Sequence, residues 1–160
     1  MKRVVIFLVS ILLIPTALAE EFPVQNINYG FVGYSQEDSP KIGDYRISYP
    51  AISDGKETNM AQNGPFAIVV FIPDDGESVD QYIWLQEELA KWGYISLVVS
   101  SSWESIEYQL NEWNNNGSQE FVGSQGMFAL NHISLSGHGT GAHEAAEIVK
   151  SGVSEIDGLF

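Results

Sequence analysis

Residues 133–142 read Ile-Ser-Leu-Ser-Gly-His-Gly-Thr-Gly-Ala, an apolar strand pattern running into a glycine-rich turn and then a helical segment. A strand–turn–helix of the G-x-S-x-G kind presents a nucleophile at the apex of a sharp bend. Small residues must flank that apex because the two arms of the turn crowd together. Gly137 and Gly141 occupy the flanking positions here, and the apex is Gly139. The pattern is that of acyl-transfer chemistry, but glycine carries no atom that attacks a carbonyl.

Other residues near this turn have the right types for chemistry but not the right places. Ser136 lies two residues before the turn, inside the strand. Ser100, Ser101 and Ser102 follow an apolar strand and precede Trp103-Glu104, the composition of a helix cap rather than of a nucleophile. His138 reads as a packing or hydrogen-bonding neighbour of the apex, His132 precedes the strand and His143 lies on the helix after it. His143 and Glu147 stand four apart on that helix, but two ligands do not define a metal site, and no metal is expected. Gly137-x-Gly139-x-x-Ala142 also satisfies G-x-G-x-x-A, the fingerprint of a dinucleotide-binding turn. Asp157 stands about twenty residues past Gly137, the separation of that fingerprint's ribose-binding acid. Because several strand and helix segments precede the turn, whereas the fingerprint normally opens its fold, this is the second reading.

The elements that must position the turn alternate. Strands are expected near Gly30–Tyr34, at Asp44–Tyr49, Phe66–Ile72, Tyr94–Val99, Ile133–Ser136 and Ile156–Phe160, with residues 51–65 a loop. Helices are expected at Ser78–Trp92, with Tyr82, Leu85, Leu89 and Trp92 inward, at Trp103–Trp113 and at Thr140–Lys150. The alternation predicts an α/β fold whose mostly parallel sheet is flanked by helices. Ligands in such sheets bind beyond the carboxyl ends of the strands, which places function at Pro73–Gly76, Ser100–Trp103 and Gly137–Gly141.

Composition narrows the classes. Lys2 and Arg3, the apolar run Val4–Ile14, and Ala17-Leu18-Ala19 make residues 1–19 a cleavable export signal, leaving 20–160 as one domain. The apolar run falls short of the roughly 20 residues that cross a bilayer, so no membrane span is expected after cleavage. The chain has no cysteine, hence neither a disulfide nor a lipidated cysteine. With 21 acidic residues, seven basic ones and a net charge of −14, its surface repels nucleic acid. The acidity fits solubility or a saline medium, which composition does not separate.

Four stretches together resemble the α/β-hydrolase superfamily, in its dienelactone-hydrolase, polyester-hydrolase and chlorophyllase-like branch. They are Tyr45–Ala51, Gly64–Phe71, Trp84–Tyr94 and Ile133–Ala142, in the order found there, and the resemblance covers roughly residues 44–160. It implies that Gly139 holds the vacant nucleophile position. It further implies that the backbone N–H groups of Thr140 and Asp75 are the oxyanion donors. Pro73, Asp74, Gly76, Ser101, Trp103, Gly137, His138 and Gly141 then belong to the loops around the site. Asp74 replaces a customary glycine. Carboxylates at 74 and 75 would oppose a developing negative charge by on the order of 1–3 kcal/mol each, unless both point to water.

The triad's acid and base follow later strands in that superfamily, and this chain ends before those positions. The expectation is therefore an ester-hydrolase-like protein that is catalytically inactive as given, with no cofactor and a small acyl or ester compound as its ligand class. Ending the sheet at Phe160 is expected to leave an edge at Ile156–Phe160, and Ile148 and Val149 uncovered. A missing C-terminal segment or a partner would then have to cover them.

Overall fold

A computed structural model describes residues 30–159 of the chain. The export signal expected at residues 1–19 lies outside the described residues. Within them, seven strands form one sheet: β1 (Val32–Ser39), β2 (Gly43–Pro50), β3 (Gly55–Lys56), β4 (Phe66–Ile72), β5 (Ile95–Val99), β6 (Phe128–Gly137) and β7 (Ile156–Leu159). Their order across the sheet is β3-β1-β2-β5-β4-β6-β7. The helices are α1 (Ile83–Lys91), α2 (Trp103–Asn116) and α3 (Thr140–Lys150). None is long and apolar enough to cross a membrane.

Pairing is parallel from β5 through β4 and β6 to β7, and antiparallel within the β1–β2 hairpin and between β2 and β5. The α/β architecture expected from alternation is thus present, with an antiparallel hairpin on one flank. From β4 the chain crosses through α1 to β5 on one side. From β5 it returns through α2, past β4, to β6 on the other. Right-handed crossovers in opposite directions must use opposite faces of the sheet, and they do. Ile106, Leu110 and Trp113 of α2 and Ala145 of α3 pack with Ile68, Val70, Leu97 and Leu135 in one apolar cluster. Leu85 of α1, with Val79 and Tyr82 just before it, packs with Phe71 and Val98 from the opposite face. The reversal makes the gap between the carboxyl ends of β4 and β6 a topological switch point, the natural crevice of such a sheet.

The local expectations differ from the structure where non-local pairing decides. Instead of a short strand at Gly30–Tyr34, β1 runs to Ser39 although Gln36, Glu37 and Asp38 favour strands poorly. Unbroken register with β2, from Val32 opposite Pro50 to Ser39 opposite Gly43, imposes the extended form. The expected loop at 51–65 contains the two-residue strand β3, paired with β1. β6 begins at Phe128 rather than Ile133. A register shift between its Phe66–Phe128 and Ile68–Ile133 pairs breaks the period that would have revealed it.

The helix expected from Ser78 opens instead as a 3-10 turn, Val79–Tyr82, before α1. Its inward stripe is Val79, Tyr82, Gln86 and Ala90, all buried, whereas Trp92 is 52% exposed and donates Nε1–H to Glu88 Oε1 at 3.0 Å. The inner position goes to Gln86 because α1 covers the polar residues Arg46, Ser48 and Ser96. Gln86 Nε2 meets this need by donating to the Arg46 carbonyl at 2.7 Å. At the far end, β7 is the last strand in the order, while Ile148 and Val149 pack partly buried against the core.

Candidate functional site

The turn between β6 and α3 has the crowding that its glycines imply. A Cβ on Gly137 would lie 2.5 Å from the Gly141 carbonyl carbon, and one on Gly141 would lie 2.2 Å from the Ile72 carbonyl oxygen. The end of β4 is held against the turn, since His138 N–H donates to Ile72 O at 3.1 Å. At the apex Gly139 has φ 53° and ψ −121°, a region in which a side chain carries strain.

The loop after β4 closes over this apex. Asp74 Oδ1 accepts three hydrogen bonds: from Thr140 N–H at 2.8 Å, from the Thr140 hydroxyl at 2.7 Å and from Asp75 N–H at 3.0 Å. The amides of Asp75 and Thr140 therefore converge on one oxygen, and that oxygen belongs to the protein; the Asp75 N–H is shared with the Thr140 hydroxyl oxygen, also at 3.0 Å. A Cβ built on Gly139 would lie 2.2–2.3 Å from the carboxylate atoms of Asp74. The carboxylate fills the space that a side chain at the apex would need. It turns onto the apex amides while staying partly exposed, and the neighbouring Asp75 is exposed to water. The Thr140 amide, then the Thr140 hydroxyl, then the Asp75 amide hold its pKa below the ordinary carboxylate value. Its place at the N-terminus of α3 is also one where the helix dipole favours an anion.

Beside this contact lies a second polar group. Tyr82 Oη meets Glu77 Oε2 and stands 3.2 Å from His138 Nδ1, while Glu77 Oε2 is 3.5 Å from the same nitrogen. Burial, followed by the hydrogen bond to Glu77, raises the Tyr82 pKa. The Tyr82 ring is fixed against Phe71 with centroids 4.5 Å apart. His138 is mostly exposed, at 61% of its side chain. Nothing in the sequence marks Glu77 or Tyr82 as a site residue. Glu77 sits in an ordinary polar turn, and Tyr82 read only as part of a helix stripe.

The remaining expected positions divide. Pro73, Asp74, Asp75 and Gly76 adjoin the turn 137–141 through the Asp74 contacts. Trp103 does not line the rim: it is buried in the core under α2, at 6% exposure. Ser102, in the serine run read as a cap, accepts from Ser105 N–H at 3.4 Å, and Ser101 is a half-buried bend residue before it. Asp157 lies on β7 and its carboxylate meets His132 Nδ1 at 2.8 Å. A pyrophosphate at the N-terminus of α3 would have to displace Asp74 from the Thr140 amide.

No family profile matches the chain, and no curated protein sequence matches it. Among solved structures, a ferulic acid esterase from Streptomyces cinnamoneus superposes with a TM-score of 0.56 at 14% sequence identity. The match covers 79% of this chain and 56% of the esterase, so the chain spans little more than half that enzyme's length. At this identity the likeness is one of fold, a partial α/β-hydrolase-type architecture.

Proposed function

We propose that this chain is an exported, ester-hydrolase-like domain, residues 20–160, that carries out no serine-ester catalysis and holds a carboxylate where a reacting ester would sit. The observation that carries the reading is the pair Gly139 and Asp74: no nucleophile at the apex, and a carboxylate oxygen on both amides. In a serine hydrolase, removing the nucleophile costs about six orders of magnitude in kcat. Losing one oxyanion donor costs about 10²–10³. Either loss takes turnover towards the uncatalysed rate. A small acyl compound is the ligand class that the ester-hydrolase-like reading implies, and its carboxylate or carbonyl would have to displace Asp74 from the two amides. The basic and apolar leader ending in Ala17-Leu18-Ala19 supports export.

Four measurements test this. Purified protein should hydrolyse p-nitrophenyl acetate no faster than buffer and should take up no fluorophosphonate probe; a labelled serine overturns the reading. Mass spectrometry of the exported protein should find its N-terminus at Glu20, and retention of residues 1–19 would contradict export. Titration with NADH, followed by nicotinamide fluorescence, should be flat. Saturable micromolar binding abolished by Gly139→Val would instead favour the dinucleotide reading of the turn.

A further inference from the structure

On the flank of the sheet away from the elbow formed by the β6–α3 turn, one face of the β1–β2 hairpin carries a charge pattern that its own residues leave incomplete. Arg46 is 4% exposed, yet its guanidinium is poorly satisfied. Nη1 is 3.4 Å from Gln36 Oε1, Nη2 is 3.7 Å from Glu87 Oε1, and Nε, itself buried, has no partner. Good hydrogen bonds of this kind lie nearer 2.9 Å, and a buried cation without close partners carries a desolvation cost. The ring of Tyr34, 3.9 Å from the guanidinium carbon, holds the group in place.

Strand register places a complementary group beside it. Gln36 is opposite Arg46, and Asp38 is opposite Asp44, so period-2 alternation puts all four side chains on the same face. Two carboxylates directly opposite one another repel. Among the described residues, neither carboxylate has a hydrogen-bond or ion-pair partner. Lys56 does not relieve them, because its ammonium is engaged by Glu57 at 3.0 Å and Glu37 at 3.5 Å. An open groove of about 480 Å³ lies over this face, lined by Tyr34, Gln36, Asp38, Asp44 and Arg46 together with Lys56 and the Glu37 carboxylate that Lys56 engages.

A simple anion in this groove would answer Arg46 but face Asp38 and Asp44, on a protein whose net charge is already −14. A simple cation would answer the carboxylates and leave the guanidinium as it is. We infer that the groove binds a small linear zwitterion of the ω-amino-acid type, with its carboxylate on Arg46 and its ammonium between Asp38 and Asp44. One two-residue strand repeat separates the two rows, about 7 Å along the strand, which sets the scale of the charge separation. This site is independent of the elbow and of the reading proposed for it.

The test is a titration of the ¹⁵N-labelled chain, followed by amide and Arg46 Nε–H shifts, with three probes: 6-aminohexanoate, hexanoate and hexylamine. Saturable shifts at Gln36, Asp38, Asp44 and Arg46 are expected with 6-aminohexanoate, at least tenfold tighter than with either singly charged probe. Arg46→Met and Asp44→Asn should each weaken that binding at least tenfold. Asp44→Asn alters no buried group and keeps the test available if the Arg46 variant fails to fold. Equal binding of hexanoate or hexylamine overturns the inference, as does unchanged affinity in Asp44→Asn or the absence of saturable shifts with 6-aminohexanoate.

Discussion

The core beneath α2 and the rim above β4 and β6 are built from the same strands but held by different physics. Beneath α2, Ile68, Val70, Leu97, Ile106 and Leu110 are all but fully buried, and stability there scales with apolar area removed from water. Two residues beyond the end of β4, Asp74 joins the loop to the elbow through one oxygen and three donors, two of them 66 positions away along the chain. Burial tolerates many side chains of similar shape. The rim contact depends on one side chain adopting one conformation.

Breaking the core should have the largest effect. Leu110→Ala is expected to cost about 2–5 kcal/mol in urea unfolding, while the amide resonances of Asp75 and Thr140 stay in place. If those resonances move as well, the two regions are not separable in the way described. Gly141→Ala attacks the junction between them. Its Cβ would meet the carbonyl oxygens of Ile72 and Pro73 at 2.2 and 2.3 Å, backbone atoms that cannot rotate away, so a loss of about 1–3 kcal/mol is expected. A neutral result would mean that the end of β4 yields easily.

A substitution at the apex sharpens the comparison further. Gly139→Ser meets two obstacles: a positive φ that costs about 1–3 kcal/mol for a side chain, and the Asp74 carboxylate in the space that its Cβ needs. Only the second disappears in an Asp74→Ala background. A double-mutant cycle should therefore show a coupling of about 1 kcal/mol or more, with the serine better tolerated when Asp74 is absent. Additive effects would show that the carboxylate does not occupy the apex.

What was legible in the sequence follows the same division. The buried strands β4 and β5 and the α2 stripe Trp103, Ile106, Leu110 and Trp113 are apolar runs or helical periods, and burial is the force that such patterns record. Trp92 fell on the wrong side because hydrophobicity was the only guide to its face. The inner position went to Gln86, whose hydrogen bond to the Arg46 carbonyl depends on a strand far away in the chain. Trp103 departs from expectation for a related reason: topology puts its position at the rim after β5, but its size draws the side chain into the core. At the elbow, the two flanking glycines and the nearness of Asp75 to Thr140 follow from the turn itself. The rotation of Asp74 onto the apex amides does not, because it is a choice of side-chain conformation made after both loops are in place.

The central claim, that the Asp74 carboxylate is bound by the amides of Asp75 and Thr140, is tested most directly by following those two amides in ¹⁵N spectra as the protein is acidified. The Thr140 amide, the Thr140 hydroxyl and the Asp75 amide lower the folded-state pKa of Asp74. The stabilisation from this contact is therefore present above the unfolded-chain value of about 3.9, and it is lost as pH falls through the lower folded value. Both amides should shift together, with one midpoint below about 3.9, and the transition should vanish from both in Asp74→Asn. Separate midpoints, a shared midpoint at or above the ordinary aspartate value, or a transition that persists in Asp74→Asn would contradict the account.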